Sequence, residues 1–156
     1  MTAEGLMEQR DKTVRDSTGF ALSQNPRRIL IVDDSRDART ILQMLLTKLG
    51  HETKTAEDGP TGIAVSREFR PDIVLCDITM SGGMSGFAFA RTAREDATLA
   101  QACLVAVSGR QGAEYENEAY AAGFDRIATK PVDLGELQQI VDSLPHRPRK
   151  ADTTSN

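Results

Sequence analysis

Between Arg27 and Leu144 short apolar runs alternate five times with stretches of helical periodicity, and this alternation narrows the accessible folds more than any other feature of the chain. The run RILIVD (28 to 33) is too short for a buried helix and rich in β-branched residues, so it reads as a buried strand. SRDARTILQMLLTKLG follows, with Ala38, Ile41, Leu42, Leu45 and Leu49 at helical spacing, Ser35 as N-cap and Gly50 as the stop. HETKTA (51 to 56) is a weaker second strand, DGPTGIAVSREF (58 to 69) a second helix, and DIVLCD (72 to 77), after Pro71, a third strand. A helix around 87 to 95, the strand CLVAVS (103 to 108), a helix around 112 to 122 closed by Gly123, the strand DRIATK (125 to 130) and the helix DLGELQQIVDSL (133 to 144) complete the series.

Strict βα alternation with nearly all-apolar strands implies a parallel sheet covered by helices on both faces. With right-handed crossovers and five units, the α/β architecture expected is a flavodoxin-like doubly wound sheet of order 2-1-3-4-5 with five helices. Its switch point lies between strands 1 and 3, and ligands bind there, outside the carboxyl ends of the strands.

That rule turns strand ends into a candidate site. Strand 1 ends at Asp33-Asp34, strand 3 at Asp77, strand 4 at Ser108 and strand 5 at Lys130. Three carboxylates on adjacent strands repel one another by several kcal/mol unless something compensates, and a divalent cation is the natural answer. Few ligands, all oxygen, with room left for water and a phosphoryl group, favour Mg²⁺, with Mn²⁺ an acceptable substitute. Lys130 adds a fixed positive charge and Ser108 a hydroxyl donor, which together outline an anion site. A carboxylate attacking phosphorus at such a place would form an acyl phosphate; Asp77, central in the sheet, is the best nucleophile, while the acidic pair holds the ion. Taken singly, Asp33, Asp34 and Ser108 can be helix caps and Lys130 a surface charge. The four strand ends together are much harder to obtain by chance.

Composition sets the wider limits. The 156 residues fit one domain, with residues 26 to 145 as its body and 1 to 25 and 146 to 156 as polar, aperiodic, flexible tails. A net charge of -4 argues against a nucleic-acid partner, and the basic cluster Arg147, Arg149, Lys150 reads as a short solvated run. No stretch approaches the roughly 20 apolar residues of a membrane span and the N-terminus lacks a signal-peptide core, so no membrane partner and a cytoplasmic location are expected. Cys76 and Cys103 fall in apolar strands, near the end of one and the start of its neighbour. That offset, on the order of 13 Å at about 3.3 Å per residue, is too far to bridge, so both read as buried, reduced thiols. Neither His51 nor His146 has a motif around it, and both are expected at the surface.

The segment 27 to 144 resembles the receiver domain of bacterial two-component response regulators, through ILIVDDS with its acidic pair, DIVLCDITM, LVAVSG with the hydroxyl, and TKPVD with the lysine. Order and spacing agree, with 31 positions from Asp77 to Ser108 and 22 from Ser108 to Lys130. The resemblance implies that Asp77 accepts a phosphoryl group from a histidine kinase or histidine phosphotransfer protein, with a downstream protein as a further partner. It also implies that Asp34, Asp77 and the backbone carbonyl of Thr79 ligate Mg²⁺, while Asp33 assists through water or directly. Lys130-Pro131 is expected to carry a cis peptide, as in relatives.

Two departures stand out. The family usually has proline four residues after the phosphoacceptor and glycine eight after, where this chain has Ser81 and Ser85, with the glycine one later at Gly86. The loop 81 to 86 is therefore one residue longer, and its extra glycines suggest greater mobility. Three residues before the lysine, where many receivers carry Tyr or Phe, stands Ile127. An aromatic swing at that position is ruled out, so a switch is expected to rely on Ser108 and the segment 109 to 122, or on a changed binding surface.

The leading reading is a stand-alone phosphoacceptor switch, assisting its own phosphorylation and dephosphorylation and not an enzyme on a separate substrate. A close variant is a receiver excised from a hybrid histidine kinase. A Mg-dependent aspartyl-phosphate phosphatase is more remote, since DDSRD and DITMS both lack the D-x-D-x-[TV] such enzymes use. A flavin module is remoter still, because the acidic site repels an FMN phosphate and no phosphate-cradling loop follows strand 1.

Overall fold

The structure, a computed structural model, describes residues 25–144. Its elements are β1 Arg28–Val32, α1 Arg36–Lys48, β2 Glu52–Ala56, α2 Gly59–Phe69, β3 Ile73–Asp77, α3 Gly86–Glu95, β4 Cys103–Ser108, α4 Ala113–Ala122, β5 Arg126–Thr129 and α5 Leu134–Ser143. The five strands form one sheet of order β2-β1-β3-β4-β5, and every pairing is parallel. Asp33 and Lys130, expected as last residues of their strands, lie just beyond them in the exit loops. The segments expected to be tails, except Asn25, lie outside the described residues, as do His146 and the cluster Arg147, Arg149, Lys150.

Burial explains why β1, β3 and β4 are apolar almost throughout. Leu30, Val32, Val74, Cys76, Leu104 and Ala106 face one way and pack with Ile63, Phe89, Ala93 and Ala119 of α2, α3 and α4. Ile29, Ile31, Ile73, Leu75, Val105 and Val107 face the other and pack with Leu42, Leu46, Leu137 and Val141 of α1 and α5. A strand buried on both faces disfavours polar residues except at its carboxyl end, where Asp77 and Ser108 sit, whereas the edge strand β2 alternates exposed and partly buried residues. Cys76 and Cys103 are both buried and free, and they sit on opposite faces of the sheet, a stronger bar to a disulfide than their offset. Four helices open on a side-chain cap: Ser35, Asp58, Ser85 and Asp133 each accept an N–H three residues on.

Two expectations need correction. Ile41, counted among the apolar residues of α1, is 52% exposed, and so is its neighbour Met44 at 50%. The stripe that meets the sheet is Leu42, Leu46 and the following Leu49, and Ile41 lies outside it. His51, expected at the surface, is buried. It closes the turn between α1 and β2 at the amino edge of the sheet, where its Nδ1 accepts the Arg27 N–H at 3.0 Å. Arg27 is itself buried and donates through Nη2 to the carbonyl of Leu144.

An imidazole accepting at Nδ1 is neutral with its proton on Nε2, and here that N–H is buried without a hydrogen-bond partner. Burial holds the His51 pKa below its ordinary value; Asp142 pulls it up and Arg27 lowers it further. The unfolded chain therefore takes a proton at about pH 6.5 that the folded chain refuses until lower pH, so stability falls as pH drops through that window. Urea midpoints measured between pH 7.5 and 5.5 are expected to decline, and His51→Asn, which keeps an acceptor without the titration, should flatten the decline. An equal decline in the variant would remove His51 as its source.

Candidate functional site

Parallel pairing puts all the carboxyl ends of the strands on one edge, and the register sets how closely they meet. Val32 lies opposite Cys76, Asp77 opposite Val107 and Ser108 opposite Thr129, so Asp33, Asp77, Ser108 and Lys130 leave the sheet within about one residue of one another. Two exits continue the ladder, from Asp33 N–H to the Ala56 carbonyl at 3.1 Å and from Lys130 N–H to the Ser108 carbonyl at 2.8 Å. Lys130-Pro131 is cis.

Carboxylate oxygens of Asp33, Asp34 and Asp77 lie within 4.8 Å of one another. Asp33 and Asp77 are buried and Asp34 is exposed. Lys130 Nζ stands 3.2 Å from Asp33 Oδ2 and 3.7 Å from Asp77 Oδ2, bridging the two buried charges. Asp33 Oδ1 accepts the Ser35 N–H at 2.8 Å. The helix-end reading of Asp33 is thus partly true, but Ser35 is the cap of α1 and Asp33 turns its other oxygen to the lysine. Asp77 Oδ1 accepts the Thr79 N–H at 3.1 Å and the Thr79 hydroxyl at 3.2 Å. Asp34 Oδ2 accepts both the N–H and the hydroxyl of Ser81, each at 3.0 Å. Ser108 is fully buried; its Oγ accepts the Arg110 N–H at 3.1 Å, which leaves its own O–H to donate. It caps no helix, since α4 has Gly112 as its N-cap and no side-chain cap.

Three carboxylates share one ammonium. At an effective dielectric of about 20, each uncompensated pair at such a separation costs on the order of 3 kcal/mol. Burial raises the Asp77 pKa above the ordinary carboxylate value; the Thr79 N–H pulls it back, Asp33 raises it, and Lys130 and the Thr79 hydroxyl lower it. This all-oxygen donor set, in excess of its counter-charge, fits a hard divalent cation such as Mg²⁺ or Mn²⁺.

The loop 81 to 86 ends on glycine for a steric reason. Gly86 opens α3 against the exit of β3, and a Cβ there would lie 2.4 Å from Ile78 Cα and 2.6 Å from the Asp77 carbonyl oxygen. No side chain fits at this position, and earlier in the loop Gly83 takes φ 63°. The loop is also tied down, by Ser81 on Asp34 and by Met84, whose side chain occupies the space beside Gly59 of α2.

Tyr115 was not visible as a site residue. Ile127 is partly buried on β5 and packs against the core that contains Tyr115. Tyr115 is 6% exposed, edge-on to Phe87 with centroids 5.9 Å apart, and Arg110 lies over its ring at 5.2 Å. Its hydroxyl is buried beside Ser108. Burial pushes its pKa up, Ser108 and Arg110 draw it down, and Asp77 raises it. An aromatic thus flanks Ser108 from α4 instead of β5. No local pattern signals this, since a core tyrosine in a weakly amphipathic helix looks the same.

The family model for the response regulator receiver domain matches residues 29–142. Response regulator PleD of Caulobacter vibrioides is 35% identical over 117 residues, which is 75% of this chain and 26% of PleD. Protein PilH of Pseudomonas aeruginosa is 34% identical over 117 residues, again 75% of this chain but 96% of PilH. The chain thus spans about a quarter of one curated relative and nearly the whole of another. Among solved structures, chemotaxis protein CheY4 of Vibrio cholerae superposes with a TM-score of 0.73 at 24% identity, covering 78% of this chain and 100% of that one. Among the described residues, no helix is long and apolar enough to cross a membrane.

Because the Asp77 carboxylate is held charged against its burial, Asp77→Asn should raise the thermal midpoint of the metal-free protein at pH 7. The raised pKa means the ionised form costs stability above the unfolded value, so the gap between variant and parent should close as pH falls toward 4. A pH-independent gap, or a lower midpoint in the variant, would contradict the account of strain at Asp77.

Proposed function

The chain belongs to the response regulator receiver domain family, and from that premise we propose that it is a phosphoacceptor switch of two-component signalling. The observation that carries this reading is the meeting of Asp33, Asp34 and Asp77 within 4.8 Å beside the single ammonium of Lys130. An oxygen of Asp77 attacks the phosphorus of a phosphohistidine on a histidine kinase or histidine phosphotransfer protein. The new O–P bond forms as the N–P bond breaks, and the bonding pair stays on the imidazole nitrogen.

This chain's residues have distinct parts in that step. Lys130, poised between Asp33 and Asp77, turns to the incoming phosphoryl oxygens and offsets their charge. Ser108, whose acceptor side is already taken by the Arg110 N–H, donates its O–H to a phosphoryl oxygen. Asp34, Asp77 and the Thr79 carbonyl would hold Mg²⁺, or Mn²⁺ in its place, with Asp33 assisting; the bound cation neutralises charge on the phosphoryl group. Loss follows when a water oxygen attacks the same phosphorus: the new O–P bond forms as the Asp77 O–P bond breaks, the pair returns to the carboxylate and inorganic phosphate leaves, so the domain assists both gain and loss of its phosphoryl group without acting on a separate substrate.

A partner must reach Asp77 over the sheet edge. Beside Lys130 an apolar groove lined by Ile41, Leu42, Leu45, Val107 and Val132 offers a docking surface for the donor protein, which gives the exposed Ile41 a use. Such chemistry belongs in the cytoplasm, where phosphohistidine donors are made. The second reading, a receiver within a longer signalling protein such as a hybrid histidine kinase, is supported by 33% identity over 137 residues to sensor histidine kinase RcsC of Escherichia coli, of which this chain spans 14%.

Incubation with Mg²⁺ and a small acyl-phosphate donor is expected to add one phosphoryl group, seen by intact-mass measurement, and Asp77→Asn should abolish it. Full labelling in that variant would sink the assignment of Asp77. Lys130→Ala should slow uptake by about tenfold or more and erase the phosphorylation-dependent change in amide spectra around Ser108. An unaltered change in that variant would remove the role given to the lysine.

A further inference from the structure

Of the three acidic side chains, two are oriented by their own surroundings. Asp33 is fixed by the Ser35 N–H and Lys130, and Asp77 by Thr79 two residues on. Asp34 is exposed, and the hydrogen bonds that hold its carboxylate among the described residues both come from Ser81, 47 positions away. Ser81 stands where relatives usually have proline, a residue with neither an N–H nor a hydroxyl to donate.

We propose that Ser81 is a positioning residue for the cation ligand Asp34, and that it couples occupancy of the acidic site to the order of the loop 81 to 85. The inference rests on reading the acidic cluster as a Mg²⁺ site. A carboxylate on an exposed side chain samples several rotamers, and two donors on one of its oxygens hold a single plane, leaving the other oxygen for the cation. Outer partners of this kind set the affinity of the ligands they orient. The coupling follows from what comes next in the chain: Gly82 and Gly83 have nothing packed against their Cβ positions, and the loop is held by the clasp, by the Met84 side chain and by the Met84 N–H on the Gly82 carbonyl. Fixing Asp34 on a cation fixes Ser81, and with it the glycines.

Mg²⁺ titration of the full chain by calorimetry tests the affinity, and amide hydrogen exchange at Gly82 and Gly83, with and without Mg²⁺, tests the coupling. Ser81→Ala, which keeps the N–H, should weaken Mg²⁺ binding by roughly tenfold, Ser81→Pro should weaken it further, and Ser81→Thr should restore it. In the parent Mg²⁺ should slow exchange at both glycines, and in Ser81→Pro this response should vanish. If proline at 81 prevents folding, Ser81→Ala carries the test. Equal affinity in parent and Ser81→Ala, or tighter binding in the variant, would overturn the inference while leaving the metal site standing. Failure of the parent itself to bind Mg²⁺ would overturn both.

Discussion

With β1 and β3 side by side and parallel, and Val32 opposite Cys76, the residues leaving those strands arrive at one place whatever their charge. Three carboxylates are held there against their mutual repulsion, two of them out of solvent. Only a scaffold that cannot relax will keep such an arrangement. β1, β3 and β4 supply it, each buried on both faces, with Phe89, Leu46 and Leu137 among the side chains closing the two layers. In a close-packed interior the strand ends have no soft direction in which to separate. The core thus fixes the spacing of the acidic residues, and the local hydrogen bonds of Thr79, Ser35 and Ser81 fix their orientation.

Much of this was legible from residue order alone, for a reason that can be stated. Strands buried on both faces are apolar up to their last residue, so Ile73 to Cys76 and Leu104 to Val107 announce themselves without an alignment, and strict alternation with helices leaves few sheet orders. Once the order is known, strand ends become site positions, which is how Asp33, Asp34, Asp77, Ser108 and Lys130 could be brought together on paper. What escaped were contacts that depend on side-chain direction. The turn geometry that buries His51 under Arg27, and the outward tilt of Ile41 toward the groove beside Lys130, are set by packing between elements far apart in sequence. Ser81 showed only as a missing proline, and the same two donors reaching Asp34 could not be foreseen from a span of 47 residues. Tyr115 showed as nothing at all.

The departures share a location. Ser81 binds Asp34, and Tyr115 lies beside Ser108, so both border the acidic edge of the sheet. Tyr115 approaches Ser108 from α4 with Ile127 packed in the same core, so an aromatic ring lies next to the hydroxyl.

The contact at Gly86 has a mechanical meaning. With the backbone of α3's first residue seated directly on Ile78 and the Asp77 carbonyl, and its N–H bonded to the Ile78 carbonyl at 3.0 Å, there is no clearance between the end of β3 and the start of α3. A joint without slack transmits displacement instead of absorbing it. A shift of the Asp77 backbone would therefore bear on the first turn of a helix whose far end, through Arg94, is bonded to Gly123 and Asp125 beyond α4. The helix works as a stiff rod laid between the acidic edge of the sheet and its opposite rim.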